Sequence, residues 1–272
     1  MKRSLMAAVA ALFIAFTSPL AAQWPLHPVG VPKGPDGTPN LAAPAPRAAD
    51  GKPDFSGVWM VSGGNIGAVF SSGLPFQPWA ADLQKKRAAE GGLNDPDGLC
   101  LPQGLLQYHV DPQPLKIVQT PTQILIIYES NYGLRTIYMD GRTLPALGSP
   151  QPFWHGYSVG RWEGDTLVVE SNNFRGVDPA EIRGVEPASF HGVGWLDHRG
   201  SPYTEAMKVT ERFRRVNYGK LDIEFTVDDP KAYTKPFTVR VEQQIVPDGS
   251  ELIEFICHEN QMFLKLTGRE RR

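Results

Sequence analysis

From residue 115 onward, apolar and polar residues alternate with a period of two, and short clusters of Gly, Asn, Asp and Pro interrupt the alternation. That pattern predicts strands over Leu115–Thr120, Thr122–Glu129, Leu134–Asp140, His155–Trp162 and Thr166–Asn172, then Ala206–Arg215, Leu221–Val227, Phe237–Val246 and Leu252–Cys257. Phe55–Val61 reads as a strand further upstream, with Ile66–Phe70 as a short addition. Pro121 belongs at a strand start or a bulge, since it has no N–H for a ladder. Glu163-Gly164-Asp165 marks the clearest hairpin turn. One helix is expected, over Pro78–Glu90, with Pro in its first turn, basic residues late and Gly91 to stop it. Trp79 and Leu83, four apart, give it a narrow apolar stripe for docking on the sheet. No strand–helix–strand spacing occurs, so the sheet is expected to be antiparallel. The fold class that follows is all-β, an up-and-down barrel with one short helix and two long loops, Gly141–Trp154 and Phe174–Tyr203. Loops of that length are expected to cover a site.

The pattern changes character before residue 54. Met1-Lys2-Arg3 is a basic start and Leu5–Phe16 an apolar run too short to span a bilayer, followed by small residues up to Ala22. Residues 1–22 therefore read as a signal peptide. Eight prolines in residues 23–53 predict an extended spacer, which either wraps the domain or holds it at a distance. Residues 54–272 are expected to form a single barrel domain in a periplasmic or secreted protein. Hydrophobic content of 41% supports a full core, and 27 basic against 29 acidic residues give no pull toward nucleic acid or an anionic membrane. No membrane insertion is expected after signal cleavage. The two cysteines, Cys100 and Cys257, read as a disulfide in an oxidising compartment. The competing reading is a free nucleophile at Cys257, but His258 beside it would point to the opposite face of a strand.

Candidate chemistry comes from polar residues on apolar faces. Met207, Val209, Glu211 and Phe213 share one face of a strand, so Glu211 must either carry a raised pKa or find an arginine. His155, Tyr157, Val159 and Arg161 share a face of the next hairpin, and Glu170 faces Arg161 across the turn, which makes an internal Arg161–Glu170 pair reachable. His155, at a strand mouth where a long loop arrives, is the best acid–base candidate. Its bland alternative is a loop-end histidine bonded to a carbonyl. Arg142, at the same rim, reads either as a solvated turn residue or as a grip on a ligand carboxylate or carbonyl. Tyr128, Tyr138, Trp154, Tyr157 and Phe213 are candidates for apolar ligand contact, with core filling as the alternative for Tyr128 and Tyr138. His191 and His198 flank Asp197, and His109 lies near Asp111, but their spacings do not suit a metal. Gly156-Tyr157-Ser158-Val159-Gly160 has the letters of a nucleophile elbow without the following helix. No cofactor motif is present, and none is expected.

Two resemblances add to this. Gly57-Val58-Trp59 at the entrance to a meander is similar to the entry of lipocalin-like barrels, where the Trp closes the barrel floor and the Gly lets another backbone approach. The chain also resembles a large family of exported bacterial proteins of unassigned reaction. The stretches that carry this are Pro53–Trp59, Cys100–Gly104, Ile137–Arg142, Gly156–Val169, Thr204-Glu205, Glu211–Phe213, Asp229-Pro230 and Cys257–Asn260. That resemblance implies a Cys100–Cys257 pair and a site around Arg142, His155, Arg161, Glu163 and Glu205.

The functional expectation is a lidded barrel that binds a small, largely apolar molecule bearing one polar or carbonyl group, oriented by Arg142 and His155. The rival is a cofactor-independent isomerase, lyase or hydrolase, with His155 as base, Arg142 or Arg161 stabilising an oxyanion, and Glu211 or Glu170 orienting. A third class is an envelope interaction module with a closed interior. Sequence gives no oligomeric state.

Overall fold

The computed structural model describes residues 30–62, 73–149, 151–178 and 193–257. Ile66–Phe70, His191, His258 and the signal-peptide residues lie outside them. The nine strands are β1 (Gly57–Val61), β2 (Leu115–Gln119), β3 (Gln123–Tyr128), β4 (Leu134–Tyr138), β5 (Tyr157–Glu163), β6 (Thr166–Asn172), β7 (Lys208–Arg215), β8 (Lys220–Asp228) and β9 (Phe237–Ile245). They close in sequence order into a barrel, with β9 pairing back onto β1.

Eight of the nine pairings are antiparallel, and β4–β5 is parallel. This corrects the expectation of a wholly antiparallel sheet. The reason is parity: strands that alternate direction around a closed ring must be even in number, so nine strands force one parallel neighbour pair. The long connection 139–156 carries the chain back to the starting end and makes that crossing. The seam is short, with Ile137 opposite Ser158 and Tyr138 opposite Val159.

Inward residues follow the period of two. Ile124, Ile126 and Tyr128 of β3, Val209, Glu211 and Phe213 of β7, and Leu221, Ile223 and Phe225 of β8 are all buried. A barrel this size needs an interior filler. The filler here is a second helix, beyond the one that the residue pattern predicts: residues Leu105–Val110, all buried. Tyr108 stacks on Tyr128 at 4.2 Å, and His109 sets its ring edge-on against Phe213 and Phe225. Inward Gln243 donates to the His109 carbonyl (2.7 Å). We label the outer helix Pro78–Ala89 α1 and this plug α2. The chain enters α2 through Gly104, whose N–H donates to Gln107 Oε1 at 2.7 Å. A Cβ on Gly104 would lie 1.8 Å from the Trp195 carbonyl oxygen, so only glycine fits.

α1 buries Ala80, Leu83 and Arg87. Arg87 donates to the carbonyls of Val193, Gly194 and Gly200, and Trp79 donates to that of Lys231, so the helix closes over loops at one end. The prolines of residues 30–56 form a strap that lies on the barrel. Tyr218 and Gly219 donate to the carbonyls of Ala43 and Leu41, and Arg47 pairs with Asp165 in the β5–β6 turn. Trp59 is fully buried, donates to the Phe55 carbonyl (2.9 Å) and carries Arg215 over its ring at 4.8 Å. A Cβ on Gly57 would meet the Ile245 side chain rather than another backbone.

Residues 251–257 are irregular, not the strand expected over Leu252–Cys257. The physical reason is closure: β1 already occupies the free edge of β9, so a tenth strand has nowhere to pair. Residues 251–257 instead bond to Lys116 and Glu129, through Glu251 and the Ile253 N–H, and reach the Cys100–Cys257 disulfide, whose cysteines are 157 positions apart.

Candidate functional site: a cleft at the parallel seam

A sheet is continuous only where its ladder is. Because β4 and β5 share just two register pairs, the wall opens beside Leu134, Arg135 and Thr136, where the chain arrives from the 139–156 connection. A cleft of about 360 Å³ occupies this gap, lined by Pro102, Leu134–Thr136, Tyr138, Phe153–Tyr157 and Ser158. Asn172 and Asn173 at the end of β6 hold the outer wall by donating to the carbonyls of Pro145 and Ala146 (2.7 and 3.1 Å).

His155 sits at the inner side of this cleft, 8% exposed. Its Nδ1–H donates to the Leu134 carbonyl at 3.2 Å, and Tyr108 of the plug meets its ring edge-on at 5.2 Å. Burial drives its pKa down to about 4, opposed by the hydrogen bond to Leu134, so the ring is neutral at physiological pH. With the proton on Nδ1, Nε2 presents a lone pair. That nitrogen is buried and has no hydrogen-bond partner among the described residues. Gly156 next to it has φ +67°, and a Cβ there would be 2.7 Å from the Phe174 ring, so the turn that aims His155 requires glycine.

The rest of the cleft is aromatic. Tyr138 and Tyr157 stack at 5.2 Å, and Phe153 lies against Tyr157 at 6.2 Å. Arg142 covers Tyr138 at 3.8 Å and donates to the Tyr157 hydroxyl at 2.9 Å, while Asp140 binds its guanidinium from the other side at 2.6–3.0 Å. Asp140 balances the charge of Arg142, which makes the arginine a brace for the tyrosine pair rather than a free oxyanion grip. Trp154 carries Arg175 over its ring at 5.0 Å.

Beneath the cleft lies a buried ion network. Arg135 binds Glu211 through both guanidinium ends, and also donates to Ser158 (3.1 Å) and Ser171 (3.0 Å). His109 Nε2 donates to Glu211 Oε1 at 2.9 Å. Burial alone would raise the pKa of Glu211. The Arg135 charge and the His109 hydrogen bond outweigh it, and Glu211 is held ionised well below the usual carboxylate range. Sequence reasoning found Glu211 but missed Arg135 and His109 as its partners. Arg135 was findable, since it shares a strand face with Ile137.

The structure thus gathers Tyr138, Arg142, Trp154, His155 and Tyr157 at one place. Tyr128, Glu211 and Phe213 are inside the barrel, packed on α2 rather than facing an open lumen. Arg161 and Glu170 do pair, but on the outer face, with side chains 52% and 44% exposed. That corrects the expected internal pair. Ser158 and Ser171 are the buried inward residues of these strands, one position off, and a one-residue slip exchanges faces. Glu163 joins the outer pair through Arg161 and Arg212, and Glu205 is exposed. His198 pairs with Asp95 (3.2 Å), and among the described residues no His, Cys, Asp and Glu cluster is arranged to hold a metal. No known family model and no curated protein matches this chain.

Proposed function

We propose that this protein binds one small, largely apolar molecule in the cleft at the β4–β5 seam. The observation that carries the reading is an aromatic cleft of about 360 Å³ lined by His155, whose buried Nε2 has no hydrogen-bond partner among the described residues. Small-molecule sites typically have that composition, apolar walls with few convergent polar groups, and start at roughly 300 Å³. The barrel lumen is not the site, because α2 fills it. We read the protein as exported, because the disulfide suits an oxidising compartment. The resemblance to exported bacterial proteins points the same way.

Proton-transfer catalysis at the same place is the second reading, favoured by His155 being unprotonated and so able to act as a base. Arg135 is committed to Glu211, and Arg142 to Asp140, so an oxyanion would lack a free cationic partner among these two. Binding is therefore the better-supported function. Native mass spectrometry of protein from its own cells, followed by organic extraction, tests it. A stoichiometric small molecule, weakened in binding by His155→Ala, supports a binder. Unchanged affinity with lost conversion of that molecule identifies an enzyme. An empty protein with no thermal shift from any apolar library compound overturns both.

A further inference from the structure

We infer that the ligand of this cleft is an uncharged aromatic molecule that donates a hydroxyl hydrogen to His155, that is, a phenol-class compound rather than a carbonyl compound or an organic anion. This rests on the binding reading above and adds the direction of its one polar contact.

The direction follows from the tautomer. A carbonyl oxygen can only accept, so the contact to Leu134 O fixes the proton of His155 on Nδ1. Nε2 is then an acceptor, and only a donor completes it. A ketone or ester would set oxygen lone pair against nitrogen lone pair. An ether would do the same. A second proton on the ring would reverse the preference, but 92% burial of the residue, with the charged Arg135 nearby, opposes it.

The absence of net charge follows from the lining. Of the residues that line the cleft only Arg135 is charged, and Glu211 compensates it through both ends of the guanidinium; Arg142, over Tyr138, is paired with Asp140, and Arg175 lies over Trp154. A carboxylate would set its oxygens against the Nε2 lone pair, and an ammonium would lose its hydration without meeting an unpaired carboxylate. The planar shape follows from Phe153, Tyr138 and Tyr157. Phe153 is 45% exposed at the mouth beside Leu134, 58% exposed, a large apolar area available for a flat ring to cover. A hydroxyl on such a ring supplies the donor at the inner end while the ring covers the aromatic rim.

The test compares 2-naphthol with 2-methoxynaphthalene by calorimetric titration on the mature chain. The two differ in the donor and share the ring. The expected result is about tenfold tighter binding of the naphthol, the cost of leaving one buried polar group unpaired. His155→Phe is expected to bring the two to within about twofold of each other. Should that variant fold poorly, long-range ¹H–¹⁵N NMR of the wild type serves instead. Naphthol, but not its ether, is expected to move the His155 Nε2 resonance. Equal affinities, both reduced by Phe153→Ala, overturn the phenol inference and leave the cleft as a binding site. Binding of neither probe, with no shift of any cleft residue, overturns the site reading itself.

Discussion

Two buried ionisable side chains, His155 and Glu211, both hold lowered pKa values for opposite reasons. Burial keeps His155 neutral, and Arg135 keeps Glu211 charged. Both make the fold sensitive to acid. Unfolded His155 takes up a proton near 6.5 and folded His155 only near 4, so between those values the unfolded state binds more protons. Its contribution is complete above about pH 6.5 and is lost as pH falls toward 4. Glu211 extends the loss further, from the ordinary glutamate range downward. His155→Phe should therefore flatten the pH dependence of unfolding free energy between pH 6.5 and 4, read from urea titrations. An unchanged slope in that window would contradict a neutral buried His155. The buried Arg135–Glu211 pair and the outer Arg161–Glu170 pair make a second contrast. Arg135→Met strands Glu211 without its cation and should cost about 3–5 kcal/mol, while Arg161→Met on the wet outer face should cost under about 1 kcal/mol. Equal costs in denaturant would mean that the faces are misassigned. Alternation alone left that assignment open, because Leu167, Val168 and Val169 are buried in succession, so this stretch of β6 shows no polar face.

At the scale of elements, strand positions were legible and the plug was not. β6 falls where the residue pattern places it, and the other strands differ by a few residues at their ends. The plug, Leu105–Val110, is buried on every side, so it has no amphipathic period to read. Its six residues are also too few to stand out between Pro102 and Pro112. Yet the plug decides where a ligand can go, since Tyr108 both fills the lumen and backs His155. Leu106→Ala, fully buried on α2, should cost about 2–5 kcal/mol by leaving a cavity. A denaturation midpoint unmoved by that change would mean that α2 is not packed inside the barrel. The tail is fixed more simply. Replacing Cys100 and Cys257 with Ser should lower stability by about 2–5 kcal/mol, checked against the reduced wild type, which should match the double variant.

For the whole molecule, closure explains both departures from the sequence reading of the sheet. An odd ring must contain one parallel seam, and a closed ring has no edge for a tenth strand. Neither fact is local, so no window of residues could announce it. The same closure generates the candidate site: the short seam leaves the wall open, and the long connection lines the opening with His155 and its aromatic neighbours. Sequence reasoning collected most of these residues because the connection returns next to them in the chain, and it erred in setting them around an open lumen. Mapping amide shifts of ¹⁵N-labelled protein during titration with 2-naphthol tests this most directly. The account predicts saturable shifts concentrated in residues 134–138 and 153–158, with strands β7 and β8 unmoved. Shifts concentrated on the inward residues of β7, β8 and α2, or no saturable shift anywhere, would contradict it.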